Sequence, residues 1–256
     1  MHMQSGKNLK TTSWGGVADW YDDYMGKEGT YQKEVILPNL LRILGTQKNE
    51  IVLDLACGQG FFSHEMKKAG FKVTGADISP ELIAEAKRNV PGVDFYVTSA
   101  DLLTFAKAES FDMVVCILAI QNIENIASVF TEVRRVLKQS GRCILVMNHP
   151  AFRVLKRSSW QWDEEQKVQY RRIDGYLSQA KVIIEMHPGA EAKKQTISYH
   201  RSLQDFFKTF SKAGFTVSRL EEWVSHKVSE KGPRQKAEDV ARKEIPLFMM
   251  IEARRI

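Results

Sequence analysis

Val52-Leu53-Asp54-Leu55-Ala56-Cys57-Gly58-Gln59-Gly60 is the stretch on which the reading of this chain turns. The residues Ile51 to Leu55 are mostly apolar and read as a short buried strand. Two glycines separated by one residue follow at once. A helix then runs from Phe61 to Ala69 and stops at Gly70. Strand, glycine loop and helix in that order place backbone N–H groups and a helix N-terminus beside a ligand.

The pattern repeats outward from there. Lys72–Ala76 reads as a second strand, followed by a helix that Ser79 caps, Pro80 opens and Leu82 turns toward the core. Val93–Thr98 and Phe111–Ile117 read as the third and fourth strands. A helix from about Ile126 to Leu137 precedes Gly141 and a fifth strand, Arg142 to Met147. Near-continuous apolar strands alternating with helices predict a doubly wound α/β fold with a mostly parallel sheet. Ligands of such sheets bind beyond the carboxyl ends of the strands, at the switch in strand order.

The flanks are less regular. Residues 1–45 form an expected helical cap, with helical stretches at Val17 to Met25 and Glu34 to Leu44. Residues 50–148 form the core. Residues 149–201 exceed what the basic fold needs and read as a lid, with a hairpin pairing Ala180–Met186 with Gln195–His200 around Pro188-Gly189. Residues 202–256 complete the sheet through a helix at Leu203 to Ala213, strands at Phe215–Leu220 and Leu247–Ala253, and one more helix within Lys227 to Lys243.

Composition narrows the class. The chain has 256 residues, 43% of them hydrophobic, which suits one folded domain. Its longest apolar run, Met113 to Ile120, falls far short of the ~20 residues that span a bilayer. The polar start carries no apolar signal core, and the three cysteines stand apart without a Cys-x-x-Cys pair. A cytoplasmic protein without a disulfide framework or a metal site is expected. The net charge of +6 is spread through the chain, which favours a solvated surface over a nucleic-acid patch.

The glycine loop alone admits three kinds of ligand. A phosphate-binding loop needs Gly-Lys-Ser/Thr, which is absent. A dinucleotide loop places a third glycine where Ser63 stands, and it has no use for Asp54. S-adenosylmethionine has no pyrophosphate and carries a cationic amino group that a carboxylate can hold. Asp54 fits that amine, and Gly58 and Gly60 allow close backbone approach. Asp77, ending the second strand, is placed to bind ribose hydroxyls, and Asp101, after the third, to accept from an adenine amino group. Each acid has a plainer reading as a helix cap, and Cys57 reads as a small packing residue.

On these segments the chain resembles class I S-adenosylmethionine-dependent methyltransferases, in particular the type 11 group. Val52–Phe62, Thr74 to Ser79, Ser99–Leu102, Phe111 to Ile117 and Arg134 to Gly141 carry the resemblance. It implies a seven-stranded sheet whose last strand is antiparallel. It also implies cofactor contacts from Ala56, Cys57, Ile78, Ala100, Leu102 and Ile117, and a substrate border at Gln121 and Asn122. Trp20-Tyr21-Asp22 resembles the N-terminal helix that closes over the cofactor, so Tyr21 and Tyr31 become expected contacts. The Asn/Asp-Pro-Pro-aromatic motif and the Pro-Cys pair of base-methylating relatives are missing.

His149, just past the fifth strand, and His200 are the expected substrate contacts or general bases. Trp160, Trp162 and Tyr170 are expected to wall a substrate pocket. The function expected is methyl transfer from S-adenosylmethionine to a small molecule, leaving S-adenosylhomocysteine. An RNA (tRNA) methyltransferase is the alternative raised by Arg171-Arg172, Lys193-Lys194 and Lys227 to Lys243. A non-catalytic S-adenosylmethionine-binding protein is a third reading. A nicotinamide-dependent oxidoreductase is disfavoured by Asp54 and Ser63.

Overall fold

A computed structural model describes residues 28–46, 49–186 and 194–256. The helix expected at Val17 to Met25, Tyr21, and the turn at Pro188-Gly189 lie outside the described residues.

The core begins with α1 (Leu37–Leu44), entered through a π-helical turn over Gln32–Ile36, where the sequence reading has one α-helix. Then come β1 (Ile51–Leu55), α2 (Phe61–Lys68), β2 (Lys72–Asp77), α3 (Pro80–Asn89), β3 (Asp94–Val97) and β4 (Phe111–Ile117). A 3-10 turn (Ile120–Asn122), α4 (Ile126–Val136) and β5 (Leu137–Asn148) follow. The remainder is β6 (Ser158–Asp163), β7 (Val168–Ile173), β8 (Ala180–Met186), β9 (Lys194–His200), α5 (Leu203–Lys212), β10 (Phe215–Trp223), α6 (Gln235–Glu244) and β11 (Phe248–Arg255).

Seven of these strands form one sheet in the order β10-β11-β5-β4-β1-β2-β3. Strands β1 to β5 run parallel, and β11 runs antiparallel to both β5 and β10. The chain moves outward from β1 to β3 and returns on the other side of β1 with β4. The switch in strand order therefore lies between β1 and β4, where the carboxyl ends diverge and leave a crevice.

Both faces of the sheet are covered, with a period of two. Leu53, Leu55, Val114, Cys116, Leu145 and Met147 pack with α4 and α5. Val52, Met113, Val115, Ile117, Ile144 and Val146 pack with α1 and α2. The stacked rings of Phe130 and Phe210, 4.2 Å apart, join α4 to α5. Each fully buried large side chain contributes about 1.5–3 kcal/mol, so the central strands are the rigid platform for the loops above them.

Local chemistry sets the ends. Ser79 Oγ accepts from Leu82 N at 3.2 Å and caps α3, with Pro80 in its first turn. Ser202 and Asp205 form a reciprocal capping box on α5. One boundary differs from the sequence reading: β5 starts at Leu137, directly from α4, and absorbs the extra residues through a register shift opposite Phe111/Met113. Among the described residues no helix is long and apolar enough to cross a membrane.

The segment after β5 forms two antiparallel hairpins. The β8/β9 hairpin matches the expectation and lies against the 3-10 turn after β4. The β6/β7 hairpin does not appear in the sequence reading. Its residues alternate between half-exposed positions on both faces, so no apolar period of two marks it. It packs on α6, away from the sheet's crevice.

Candidate active site

The loop after β1 is built on left-handed backbone. Ala56 has φ +58°, Gly58 +56° and Gly60 +88°. For Ala56 that conformation costs about 1–3 kcal/mol, and the surroundings must hold it. They do so through Cys57 N donating to Ala76 O at 3.0 Å and Gly60 N to Cys57 O at 3.1 Å. A side chain at Gly58 would meet open space, so this part of the loop faces a cavity. Gly60 is different: it presses on Val90, Phe95 and Ala86 and serves packing at the start of α2.

Two carboxylates stand at the strand ends. Asp54 is 2% exposed; burial pushes it up to about 7, against hydrogen bonds from Ser63. Ser63 Oγ donates to Asp54 Oδ2 at 2.6 Å. Asp77 accepts from Gly58 N and Ser79 N, both at 2.9 Å, and burial raises its pKa as well. Thus Asp77 ties the glycine loop to the cap of α3. Among the described residues neither acid has a cationic side chain beside it.

Asp54, Asp77 and the loop line one cavity of about 740 Å³ over the carboxyl ends of β1, β2, β4 and β5. That lies within the ~300–1,000 Å³ usual for ligand pockets. Two buried acids without cations, beside open left-handed backbone, suit a ligand with an ammonium group and hydroxyls. The S-adenosylmethionine expected from the sequence has both, so the residues present fit it. Ala56, Cys57, Ile78, Ala100, Asp101 and Ile117 also line the cavity. Cys57 is half-buried; desolvation, then Asp54 and Asp77, raise its thiol well above the ordinary pKa, which disfavours the thiolate.

The opposite wall comes from Gln121 and Asn122 after β4, Asn148 and Pro150 after β5, and the β8/β9 hairpin. Ser198 Oγ donates to Gln121 O at 3.3 Å, and Arg201 donates to the carbonyls of Ile123 and Glu124. The hairpin is thereby fixed to the turn that follows β4. His200 lines this wall; its Nε2 lies 2.7 Å from Tyr176 O. A carbonyl only accepts, so Nε2 carries the hydrogen and a neutral ring has its lone pair on Nδ1.

Several expected site residues lie elsewhere. His149 is 1% exposed and lies outside the cavity lining. Its Nδ1 accepts from Ala151 N and Phe152 N, and its Nε2 lies 2.6 Å from Glu222. Burial lowers its pKa against the pull of Glu222, so both nitrogens of a neutral ring are occupied by the fold. Trp160 lies beside Arg153 and Arg171, and Trp162 beside Arg234, all on or near the β6/β7 hairpin. Tyr170, in β7, is 46% exposed. None of these three aromatics lines the cavity, and their hairpin packs on α6 through β7.

Tyr31 packs on His226 and Phe248 and shares a hydrogen bond with Ser225, also outside the lining. Leu102 is 60% exposed and does not reach the cavity. Gln32, next to Tyr31 in the chain, does line it, buried, with Oε1 lacking a hydrogen bond among the described residues. Gln32, Arg153, Tyr199 and Arg201 are lining residues that sequence reading missed. No motif marks them, since they sit on the cap and lid rather than on the repeated strand-helix units.

Residues 53–145 match the family model described as a methyltransferase domain. A demethylmenaquinone methyltransferase of Chlorobaculum parvum is 36% identical over 96 residues, 37% of this chain and 39% of that protein. A ubiquinone biosynthesis O-methyltransferase of Xanthomonas oryzae pv. oryzae is 32% identical over 98 residues, 37% and 41% respectively. The matches thus span about two fifths of the length of these relatives. In structure, an S-adenosylmethionine-dependent methyltransferase of Mesorhizobium loti superimposes with a TM-score of 0.67 at 25% identity, covering 89% of this chain and 99% of that one. The strand order and these likenesses agree: residues 53–145 match a methyltransferase domain, and the chain has the fold of an S-adenosylmethionine-dependent methyltransferase.

Proposed function

We propose that this chain transfers a methyl group from S-adenosylmethionine to a small-molecule acceptor. The observation that carries the reading is the single cavity that joins the Asp54–Gly60 loop to a second wall made by the 3-10 turn and the β8/β9 hairpin. A cofactor held by the loop leaves an acceptor sheltered under that wall. The names of the two quinone-pathway relatives support an acceptor of that size.

The roles follow from the positions. Asp54 holds the cofactor's ammonium group, Asp77 its ribose hydroxyls, and Ala100-Asp101 borders the adenine. The Ala56–Gly58 loop would border the cofactor's amino-acid end. When bound, the cofactor supplies a sulfonium methyl that is already electrophilic. The protein's share is to align the acceptor atom with that methyl and keep water out. His200 is the lining base: with Nε2 held by the Tyr176 carbonyl, its Nδ1 takes a proton from an acceptor that arrives protonated. Gln121, whose Nε2 donates to Leu118 O at 2.7 Å, keeps a buried Oε1, without a partner among the described residues, for an acceptor N–H or O–H.

Labelled S-adenosylmethionine incubated with the protein and a cell extract tests this, once the extract is divided into small-molecule and RNA fractions. Label is expected in the small-molecule fraction. Label in tRNA that falls steeply with added salt supports an RNA methyltransferase instead. Bound cofactor without transfer in any fraction supports a binding protein.

A further inference from the structure

Several arginines among the described residues are held in ion pairs. Arg135 meets Glu132 at 2.7 Å, Arg142 meets Glu252 at 3.3 Å, and Arg255 meets Glu109 at 2.8 Å. Arg153, on the cavity wall, is in none of these pairs. Its guanidinium forms no ion pair or hydrogen bond with any described residue, and its Nε is buried without an acceptor. Its contact is the Trp160 ring, 5.7 Å from the guanidinium carbon.

Two of the groups that act on Arg153 are cations, and one, Tyr31, acts in the opposite direction. Arg171 lies against the same ring at 5.2 Å, and Arg242 is a further neighbour; both act on Arg153 as like charges. Burial and these cations lower its pKa to about 10, so it is still a cation at neutral pH. A half-buried guanidinium without a counter-charge among the described residues carries part of the cost of desolvating a charge. An anion arriving in the cavity removes that cost and gains charge-assisted hydrogen bonds, often two at once.

The position separates this charge from the cofactor's acids. Asp54 and Asp77 end β1 and β2, whereas Arg153 follows Asn148 and Pro150 at the end of β5, with β4 between. On the same wall Arg201, 8% exposed, holds the carbonyls of Ile123 and Glu124 through Nη2, and its buried Nη1 has no acceptor among the described residues.

We propose that the methyl acceptor carries an anionic group of the carboxylate type, and that Arg153 is the side chain that meets it. This rests on the reading of the cavity as a methyltransferase site.

The test uses the whole protein saturated with S-adenosylhomocysteine. Benzoate and octanoate are titrated against their neutral counterparts, benzamide and octanamide, with calorimetry or ligand-observed NMR. At least one carboxylate is expected to bind at least about tenfold more tightly than its amide, the size of one charge-assisted hydrogen bond. Arg153→Met abolishes the preference, Arg153→Lys retains part of it, and neither changes affinity for S-adenosylhomocysteine. Equal binding of acid and amide, or a preference that survives Arg153→Met, overturns the proposal. So does a loss of S-adenosylhomocysteine affinity in Arg153→Met, which would assign Arg153 to the cofactor's own carboxylate. Wild-type protein that fails to bind S-adenosylhomocysteine at the outset refutes the methyltransferase reading, a separate result seen in the first titration.

Discussion

Ser63 Oγ donates a 2.6 Å hydrogen bond to Asp54 Oδ2, and both side chains are buried. The residue standing where a dinucleotide loop has its third glycine therefore steadies the acid that such a loop lacks. Ser63→Ala removes the hydroxyl without opening a large cavity. Asp54 then ionises at a pH above 7, and affinity for S-adenosylhomocysteine falls by about tenfold, the weight of a hydrogen bond to a charged group. Calorimetry at neutral pH measures it. Unchanged affinity would separate Ser63 from the site.

Asp54 also predicts a pH dependence. Its pKa in the folded protein is about 7, raised by burial from the ordinary 3.8. A cationic ligand needs the ionised form, so affinity rises with pH up to about 7 and levels off above it. In the ligand-free protein the sign is opposite. The unfolded chain releases this proton first, so the contribution of Asp54 to stability falls as pH climbs from near 4 to 7. Asp54→Asn flattens both curves, with affinity and melting temperature as the readouts.

The two histidines part company. His149 accepts from two backbone amides, donates to Glu222 and lies outside the cavity, so His149→Ala costs about 1–3 kcal/mol of stability through lost hydrogen bonds. Its pKa is lowered, so its contribution to stability is complete above the unfolded value near 6.5 and is lost as pH falls below it. His200→Ala instead lowers the rate of transfer by about 10²-fold, the lower range for a general base, with S-adenosylhomocysteine affinity kept. Thermal melts and single-turnover rates distinguish them. A His149 variant that folds normally yet loses turnover would return that residue to the site.

Gly75 in β2 leaves no room for a side chain. A Cβ there would lie 2.3 Å from the Phe95 ring and 3.0 Å from Cys57 Sγ. Gly75→Ala forces Phe95 away from α3 and presses on the loop that Asp77 secures. A loss of about 1–3 kcal/mol in stability is expected from overpacking, with weaker S-adenosylhomocysteine binding. Denaturant melts check the first and calorimetry the second.

Sequence was enough for the parts of this molecule that repeat a strand-helix unit. Asp54, Gly58 and Asp77 were legible because each sits at a fixed place after a buried strand, and the buried runs of β1 and β4 gave the sheet. The β8/β9 hairpin showed through its alternation. Trp160, Trp162 and Tyr170 lie outside the cavity lining: a large aromatic suits a hairpin away from the cavity as well as a substrate wall. His149 misled for a related reason. Its place after β5 is the ligand end of the sheet, but its ring turns inward to the amides of Ala151 and Phe152. Gln32, Arg153 and Arg201 were illegible because their meaning comes from a cavity that only the folded chain encloses.

Titration of the whole protein with S-adenosylhomocysteine at pH 8, beside the Asp54→Asn variant and beside NADH, tests the central claim most directly. Binding at one site per chain, weaker by tenfold or more in Asp54→Asn as about 1.4 kcal/mol of lost charge-assisted bonding requires, with no heat from NADH, is the expected result. Absence of S-adenosylhomocysteine binding, equal affinity in the variant, or saturable binding of NADH in its place would contradict it.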